Sequence, residues 1–276
     1  MKKVLITGAS SYVGARLYYD LQKGFDVVGT YHKTRLSDTF LKLDTTDAKQ
    51  VQKIIRKVRP NIVIHVASNA SATWCEERPE EARILNEKAT KSVIDAAQAV
   101  NAGIIFISSF AAVDTSNIYG QTKAASEQFV REMDRWIILK PSLVIGLSPN
   151  TTNDRPFNRI LKNIDESTLA IYDTSWKFQP SFLGHISEVI TLVIDREINA
   201  HTIPIAVSAL KSRFDIAKDI LWEFGIKVTP VDNHDKTLVI EDDLNKLKEL
   251  DLPIYQYDQI IRTIINEIKH RERLHP

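Results

Sequence analysis

The sequence predicts an α/β fold: a doubly wound parallel sheet with helices on both faces, joined to a smaller, mostly C-terminal α/β part. Three observations carry this. Short apolar runs alternate with stretches of helical periodicity through residues 3–140. The runs are apolar at every position rather than every second one, the mark of strands covered on both faces. The first run ends in a glycine-containing turn that opens a helix, the entry to a βαβ unit.

The elements follow in order. Residues 3–7 form a buried strand ending at Gly8, and 12–23 a helix through Val13, Leu17 and Leu21. A strand over 25–31 precedes a helix over 47–59, with Val51, Ile54, Ile55 and Val58 on one face and Pro60 as its stop. Residues 61–67 read as strand, 77–100 as one long helix, 103–109 as strand, 119–133 as helix and 136–140 as strand. After Gly146-Leu147-Ser148-Pro149-Asn150 the rhythm loosens, with isolated strands at 169–172 and 202–207. Helices are expected over 156–164, 186–195, 212–224 and 255–271. The domain boundary is placed near 147, giving 1–147 and 148–276, with segments near 180–208 expected to return to the first unit.

The 276 residues are 43% hydrophobic and 26% charged, ample for a packed core, which excludes a disordered chain. Lys+Arg at 36 against Asp+Glu at 35 gives +1, whereas sequence-independent nucleic-acid binding needs a basic surplus, so no nucleic-acid partner is expected. Cys75 is the only cysteine, so no internal disulfide can form. Met1-Lys2-Lys3 is followed by too short an apolar stretch for a signal peptide, and no run approaches the ~20 apolar residues of a membrane span. A cytoplasmic protein without membrane contact is expected. The seven histidines are scattered without ligand-like spacing, so no metal is expected; His65, in an apolar strand, reads as a core histidine, and Cys75 as buried or helix-flanking.

Three motifs carry chemistry. Thr7-Gly8-Ala9-Ser10-Ser11-Tyr12-Val13-Gly14 follows a strand and opens a helix. In that context Gly8 makes the tight turn, the helix N-terminus presents N–H groups to a pyrophosphate, and Gly14 lets helix and strand pack closely. Ser11 stands where a middle glycine is usual; its side chain either weakens binding or donates a hydroxyl. The alternative is an ordinary β-turn-α. At the end of the second strand, Tyr31-His32-Lys33-Thr34-Arg35 has no carboxylate for a ribose hydroxyl and three potential cations for a 2′-phosphate, favouring NADP over NAD, although NAD stays possible. The alternative there is a solvated polar loop. Asp44 is placed either to take the adenine amino group or to cap the helix beginning near Asp47. Tyr119 and Lys123, at i and i+4, share a helix face, and the ammonium is expected to lower the phenol's pKa and hold a nicotinamide ribose. Ser108-Ser109 closes the preceding strand, where a hydroxyl orients a carbonyl toward Tyr119.

The segments Val4-Leu5-Ile6-Thr7-Gly8 with Gly14, Val27 to Tyr31, Pro60 to Ala67, Cys75-Glu76-Glu77 with Asn86, Ile107-Ser108-Ser109, Tyr119 to Lys123 with Glu127, and Leu139-Lys140-Pro141 form a recognisable set. On these the chain resembles the extended short-chain dehydrogenase/reductase superfamily. It is most similar to the dTDP-4-dehydrorhamnose reductase-like group, which also holds the NADP-binding regulatory subunit of methionine adenosyltransferase. Lys177-Phe178-Gln179-Pro180 is similar to the group's Arg-Phe-Pro stretch near the substrate, and Leu244-Asn245-Lys246-Leu247 to its closing region. The resemblance implies a Rossmann-type domain, a nicotinamide cofactor and a catalytic set of Ser109, Tyr119 and Lys123. Around the cofactor it implies Ala67 beside the loop residues named above, and around the substrate Ser68, Phe110 and Lys177. Asn86 either supports the active-site loop or is a helix-surface amide, and Trp176, Phe178 and Phe182 line a pocket or pack a core. A homodimer through the helices at 77–100 and 119–133 is implied by the resemblance alone.

Two departures bear on the substrate. The group follows its Ser/Thr with Asp-Tyr-Val-Phe-Asp-Gly, whereas here Phe110-Ala111-Ala112-Val113-Asp114-Thr115 stands. Only ten positions separate Ser109 from Tyr119, so the substrate-side wall is cut down. The expected activity is an NADP-dependent reduction of a keto group on a nucleotide-linked sugar. The alternatives are an NAD(P)-dependent sugar-nucleotide epimerase or dehydratase, or a non-catalytic NADP-binding regulatory subunit.

Overall fold

The computed structural model describes residues 1–274; His275, one of the seven histidines, lies outside the described residues. The chain opens with β1 (Lys3–Thr7), α1 (Tyr12–Leu21), β2 (Asp26–Tyr31), β3 (Leu41–Lys42), α2 (Ala48–Val58) and β4 (Ile62–His65). Short helices α3 (Ala72–Glu77) and α4 (Pro79–Ala82) lead through a π-helical stretch, Arg83–Lys88, into α5 (Ala89–Gln98). Then come β5 (Gly103–Ile107), a 3-10 turn at Phe110–Val113, α6 (Ile118–Arg131), β6 (Trp136–Pro141) and β7 (Val144–Ile145). The remainder comprises α7 (Pro156–Glu166), β8 (Ala170–Asp173), β9 (Lys177–Phe178), β10 (Ser181–Phe182), α8 (Leu183–Asp195), β11 (His201–Ile205), β12 (Lys211–Ser212), α9 (Arg213–Leu221), β13 (Val228–Val231), α10 (Asn245–Glu249) and α11 (Tyr257–Lys269).

Seven strands form one parallel sheet in the order β11-β6-β5-β4-β1-β2-β3. The pleat sends successive side chains to opposite faces. Val4, Ile6, Ile64, Ile105 and Leu139 meet Leu17 and Leu21 of α1 and Ile186, Val189 and Ile190 of α8. Leu5, Val63, Ile104, Phe106 and Ile138 meet Val51 and Ile55 of α2, Val93 and Ile94 of α5, and Val130 of α6. The continuous apolar runs of the sequence are therefore two-sided burial, as their composition predicts. A third core joins Phe157, Ile160 and Leu161 of α7, Ile216 and Ile220 of α9, and Ile260, Ile261 and Ile264 of α11. The 202–207 strand is β11, and it docks on β6 at the sheet edge rather than standing alone.

The single helix expected over 77–100 is broken. Pro79 lacks an N–H and stands at the first position of α4, and Arg78 before it leaves helical space (φ −137°, ψ 61°). The chain then unwinds into the wider π turn, and Asn86 in that stretch is buried rather than on a helix surface. Several short elements had no counterpart in the sequence reading: α3, α10, the two-residue strands β3, β7, β9, β10 and β12, and β13, which contains Pro230 and pairs with β8. Among the described residues no helix is long and apolar enough to cross a membrane, and no group of three or more His, Cys, Asp and Glu side chains could hold a metal ion.

Candidate active site

The turn between β1 and α1 is as tight as its glycines allow. Gly8 has φ +70°, and a Cβ there would meet the Ala67 backbone at 3.0 Å. A Cβ on Gly14 would stand 2.2 Å from the Gly8 carbonyl oxygen. Ser11, in place of the middle glycine, is the N-cap of α1: its Oγ accepts from the Gly14 N–H at 3.0 Å and keeps its own proton to donate. Ser10 Oγ is buried and has no hydrogen-bond partner. Val13 packs between the sheet core and the third core. Tyr12 turns away from the loop; its ring lies in the third core and its hydroxyl donates to the Gly146 carbonyl, so only its backbone N–H faces the helix N-terminus.

Beside the cradle runs a buried relay. Thr90 donates to the Asn86 carbonyl at 2.7 Å, so its oxygen must accept from His65 Nε2–H at 2.9 Å. His65 Nδ1 then accepts from Thr7 Oγ1 at 2.6 Å. Burial, reinforced by the charge of Lys123, pushes the His65 pKa down to about 3, so the ring is a neutral core histidine. Asn86 holds both backbone groups of Asn69, accepting from its N–H at 2.8 Å and donating to its carbonyl at 3.0 Å. Cys75 is buried beneath it.

Ser109, Tyr119 and Lys123 converge at the C-terminal end of β5. Asn117 caps α6, accepting from Gly120 N–H at 2.8 Å, which sets Tyr119 in the first turn and Lys123 one turn later. Lys123 is buried; its Nζ donates to the Ile107 carbonyl at 2.9 Å and to Ser68 Oγ at 3.3 Å. Its ammonium lies 4.8 Å from the centre of the Phe106 ring. Burial lowers its pKa to about 8 against the opposing charge of Glu127. Glu127 in turn accepts from Ser108 at 2.6 Å and from Arg131 at 2.8 Å. Ser109 Oγ accepts from Ala111 N–H at 3.2 Å, and its hydroxyl stabilises the ionised form of the Tyr119 phenol.

The acidity of Tyr119 differs from the sequence expectation. Burial pushes the phenol up to about 12, and the groups that oppose this are the Ser109 hydrogen bond and the charge of Arg155, not Lys123. The reason is geometric: Lys123 Nζ is held by Ile107 and Ser68 and stands 6.0 Å from the Tyr119 ring centre.

Past β2, His32, Lys33 and Arg35 are exposed, while Tyr31 is half-buried. His32 Nε2 lies 3.5 Å from Asp44 Oδ2, and Arg35 bonds the Ser37 carbonyl at 3.2 Å. Asp44 does not cap α2; Asp47 does, accepting from Lys49 and Gln50. Asp44 instead closes a turn with Thr46 at 2.9 Å and 2.7 Å. Against burial, these bonds and the charges of His32 and Lys33 hold its carboxyl below the usual value.

Of the other residues, Ala67 lies against Gly8 and Ser68 touches Lys123, so both border the cradle. Phe110 is buried in its 3-10 turn. Lys177 is exposed on β9, paired with β12, and Trp176, Phe178 and Phe182 pack in the third core. Two residues escaped the sequence reading. Asn150 donates to the Ser10 carbonyl at 2.6 Å, and Arg155 brings its charge to bear on Tyr119 and Tyr12. Neither belongs to a local motif; each reaches the site from more than thirty positions away along the chain.

The family model described as the RmlD substrate binding domain matches residues 1–241. Methionine adenosyltransferase 2 subunit beta of Xenopus tropicalis is 29% identical over 143 residues, 47% of this chain and 42% of that protein. The chain thus matches less than half the length of such relatives. The dTDP-4-dehydrorhamnose reductase of Mycolicibacterium smegmatis is 25% identical over 235 residues, 79% of this chain and 68% of that one. The crystal structure of dTDP-4-dehydrorhamnose reductase from Bacillus anthracis in complex with NADP superposes with a TM-score of 0.82 at 23% identity, covering 96% of this chain and 98% of that one. That last likeness speaks to the fold.

Proposed function

The chain belongs to the RmlD substrate-binding domain family, and on that premise we propose that it is an NADP-dependent oxidoreductase that reduces the keto group of a nucleotide-linked sugar. The observation that supports this reading is the junction of two machines: Gly8 packs on Ala67, and the next residue, Ser68, accepts from the Lys123 ammonium. The cradle and the Ser109–Tyr119–Lys123 set are therefore neighbours.

The residues fit a dinucleotide. Gly8 and Gly14 let the turn close on Ala67 and start α1 against the Gly8 carbonyl, where no Cβ fits, and Ser10 Oγ is an orphaned buried hydroxyl at a helix N-terminus. Ser10, Ser11 and the first N–H groups of α1 would hold the pyrophosphate. His32, Lys33 and Arg35 would hold a 2′-phosphate, Asp44 the adenine amino group and Lys123 the nicotinamide ribose. When bound, NADPH supplies the hydride for the carbonyl carbon. Ser109 orients the carbonyl oxygen, and Tyr119 delivers the proton to it. A phenol near pKa 12 is fully protonated at neutral pH and more acidic than the sugar alcohol it creates. Its task is proton donation, for which ionisation in the resting site is not required.

In this reading residues 1–147, with the segment near 180–208, form the cofactor unit, and the rest of 148–276 forms the substrate side. The third core of α7, α9 and α11 supports that division. The reading includes a cytoplasmic location, supported by the lone Cys75, the absence of a nucleic-acid partner, supported by the +1 net charge, and a homodimer on α5 and α6. A second reading, a dinucleotide-binding regulatory subunit, rests on the identity with methionine adenosyltransferase 2 subunit beta.

Tyr119→Phe separates the two. It deletes one hydroxyl and keeps the ring, so NADPH affinity by fluorescence titration should stay within about twofold. Turnover of dTDP-4-dehydrorhamnose, followed as loss of NADPH absorbance, should drop by ~10²–10⁴-fold. Near-normal turnover in the variant, or none in the wild type, would sink the reductase reading.

A further inference from the structure

Arg155 is the N-cap residue of α7, held extended (φ −116°, ψ 148°) before Pro156. Its backbone is fixed against the cradle. Ser148 Oγ donates to the Tyr12 carbonyl at 2.7 Å and Asn150 to the Ser10 carbonyl at 2.6 Å. Asn158 then ties the segment together, donating to the carbonyls of Asn150 at 3.2 Å and Asn153 at 2.8 Å. Arg155 so placed is half-buried, and among the described residues its guanidinium has no hydrogen bond or ion pair. Its neighbour Asp154 is spent on Arg159, which binds both carboxylate oxygens at 2.7 Å and 2.8 Å.

An arginine has five donors and is charged at every accessible pH, and leaving it half-desolvated without an acceptor is costly. One turn on, Asn158 is itself buried to 7% exposure, and its Oδ1 has no partner. Two unsatisfied polar groups on the same turn of α7 point to a ligand absent from the chain's own bonding. The charge of Arg155 also reaches the Tyr119 phenol and opposes the rise of its pKa, so the cation and the phenol act in one field.

We propose that Arg155 is a specificity-determining residue whose guanidinium takes a phosphate oxyanion of the molecule protonated by Tyr119, so that the site selects phosphate-bearing keto sugars over neutral ones. This rests on the reductase reading for the identity of the reacting molecule. The planar fork of Arg suits two phosphate oxygens, and the amide of Asn158 has an acceptor left for a neighbouring hydroxyl. The phosphate is either the diphosphate of a nucleotide sugar or the single ester of a sugar phosphate.

The test uses the full chain, calorimetry with dTDP-glucose and with glucose 1-phosphate, and a separate NADPH titration, for wild type, Arg155→Gln and Arg155→Lys. Among the described residues the Arg155 side chain makes no hydrogen bond or ion pair, and both variants keep its backbone bonds to Asn153 and Arg159, so both should fold. Arg155→Gln should weaken dTDP-glucose by roughly 10–100-fold, the range of charge-assisted hydrogen bonds, with NADPH affinity unchanged within about twofold. Arg155→Lys should recover part of the loss, because charge remains and the fork does not. Parallel weakening of glucose 1-phosphate assigns the sugar-side ester; weakening of dTDP-glucose alone assigns the nucleotide side. Equal dTDP-glucose affinity in Arg155→Gln, a loss that falls on NADPH instead, or a wild type that binds neither phosphate compound overturns the proposal. A wild type that binds dTDP-glucose through Arg155 but does not bind NADPH keeps it and removes the reductase reading.

Discussion

Lys123 combines two demands that oppose each other. In the proposed reading its ammonium must be charged to grip a cofactor, yet burial favours the neutral amine and brings its pKa down to about 8 from the ordinary 10.5. The Ile107 carbonyl and Ser68 Oγ keep it in place. The sign follows: the charge is present below about 8 and is lost as pH rises through that value. NADPH affinity should therefore weaken by roughly tenfold or more between pH ~7 and ~9.5, the size of one charged hydrogen bond. Lys123→Met should bind weakly and without that pH dependence. Fluorescence titrations across the range decide it; a wild-type affinity flat in pH would mean that the ammonium does not touch the cofactor. Tyr119 carries the complementary lesson. Its partner Ser109 is adjacent, as the motif implies, but the cation that acts on it comes from Arg155 rather than Lys123.

The β1–α1 element depends on two missing side chains. Gly14 allows α1 to begin against the Gly8 carbonyl, and Ser11 then caps the helix. Gly14→Ala would press a methyl to 2.2 Å from that oxygen, which backbone cannot yield without moving the turn. The expected cost is ~1–3 kcal/mol in urea unfolding, together with weaker NADPH binding because the N–H groups of α1 shift. An unchanged urea midpoint would show that the turn has room to relax. The α3–α5 region is the opposite case, an element kept irregular. Pro79 breaks the helix, and the widened π turn after it buries Asn86, whose two bonds to Asn69 hold the loop beside Lys123.

Arg16 joins parts of the chain that no local pattern connects. Its guanidinium binds Asp20 at 2.6 Å, the Leu147 carbonyl at 2.7 Å and both oxygens of Glu267 at 2.6 Å and 3.1 Å. It thereby ties α1 to the loop before α7 and to α11. Burial works against its charge, but Glu267 and Asp20 raise its pKa above the ordinary value and keep it ionised. Arg16→Met would leave two carboxylates facing each other, with side-chain exposures of only 15% and 16%. The expected loss is about 3 kcal/mol of unfolding free energy, partly recovered by adding Glu267→Gln. A single variant as stable as wild type would show the triad to be dispensable. The loop it anchors carries Asn150 and Arg155 to the site, so substrate affinity should fall with it.

The strand and helix alternation, the apolar faces and the Gly8–Gly14 turn were legible in the sequence. Each is set by neighbours within one turn or one pleat, and periodicity records that. That Ser109, Tyr119 and Lys123 come together was legible because their spacing matches a known motif. What escaped lies between distant positions or within burial. The docking of β11 on β6, the Tyr12 hydroxyl on Gly146 and the Asn150 amide on Ser10 depend on the path of the chain through space. The acidities of Tyr119 and Lys123 depend on how much water their surroundings exclude. Residue spacing carries no record of either quantity, because desolvation and long-range contact arise only once the sheet and the third core have closed around the site.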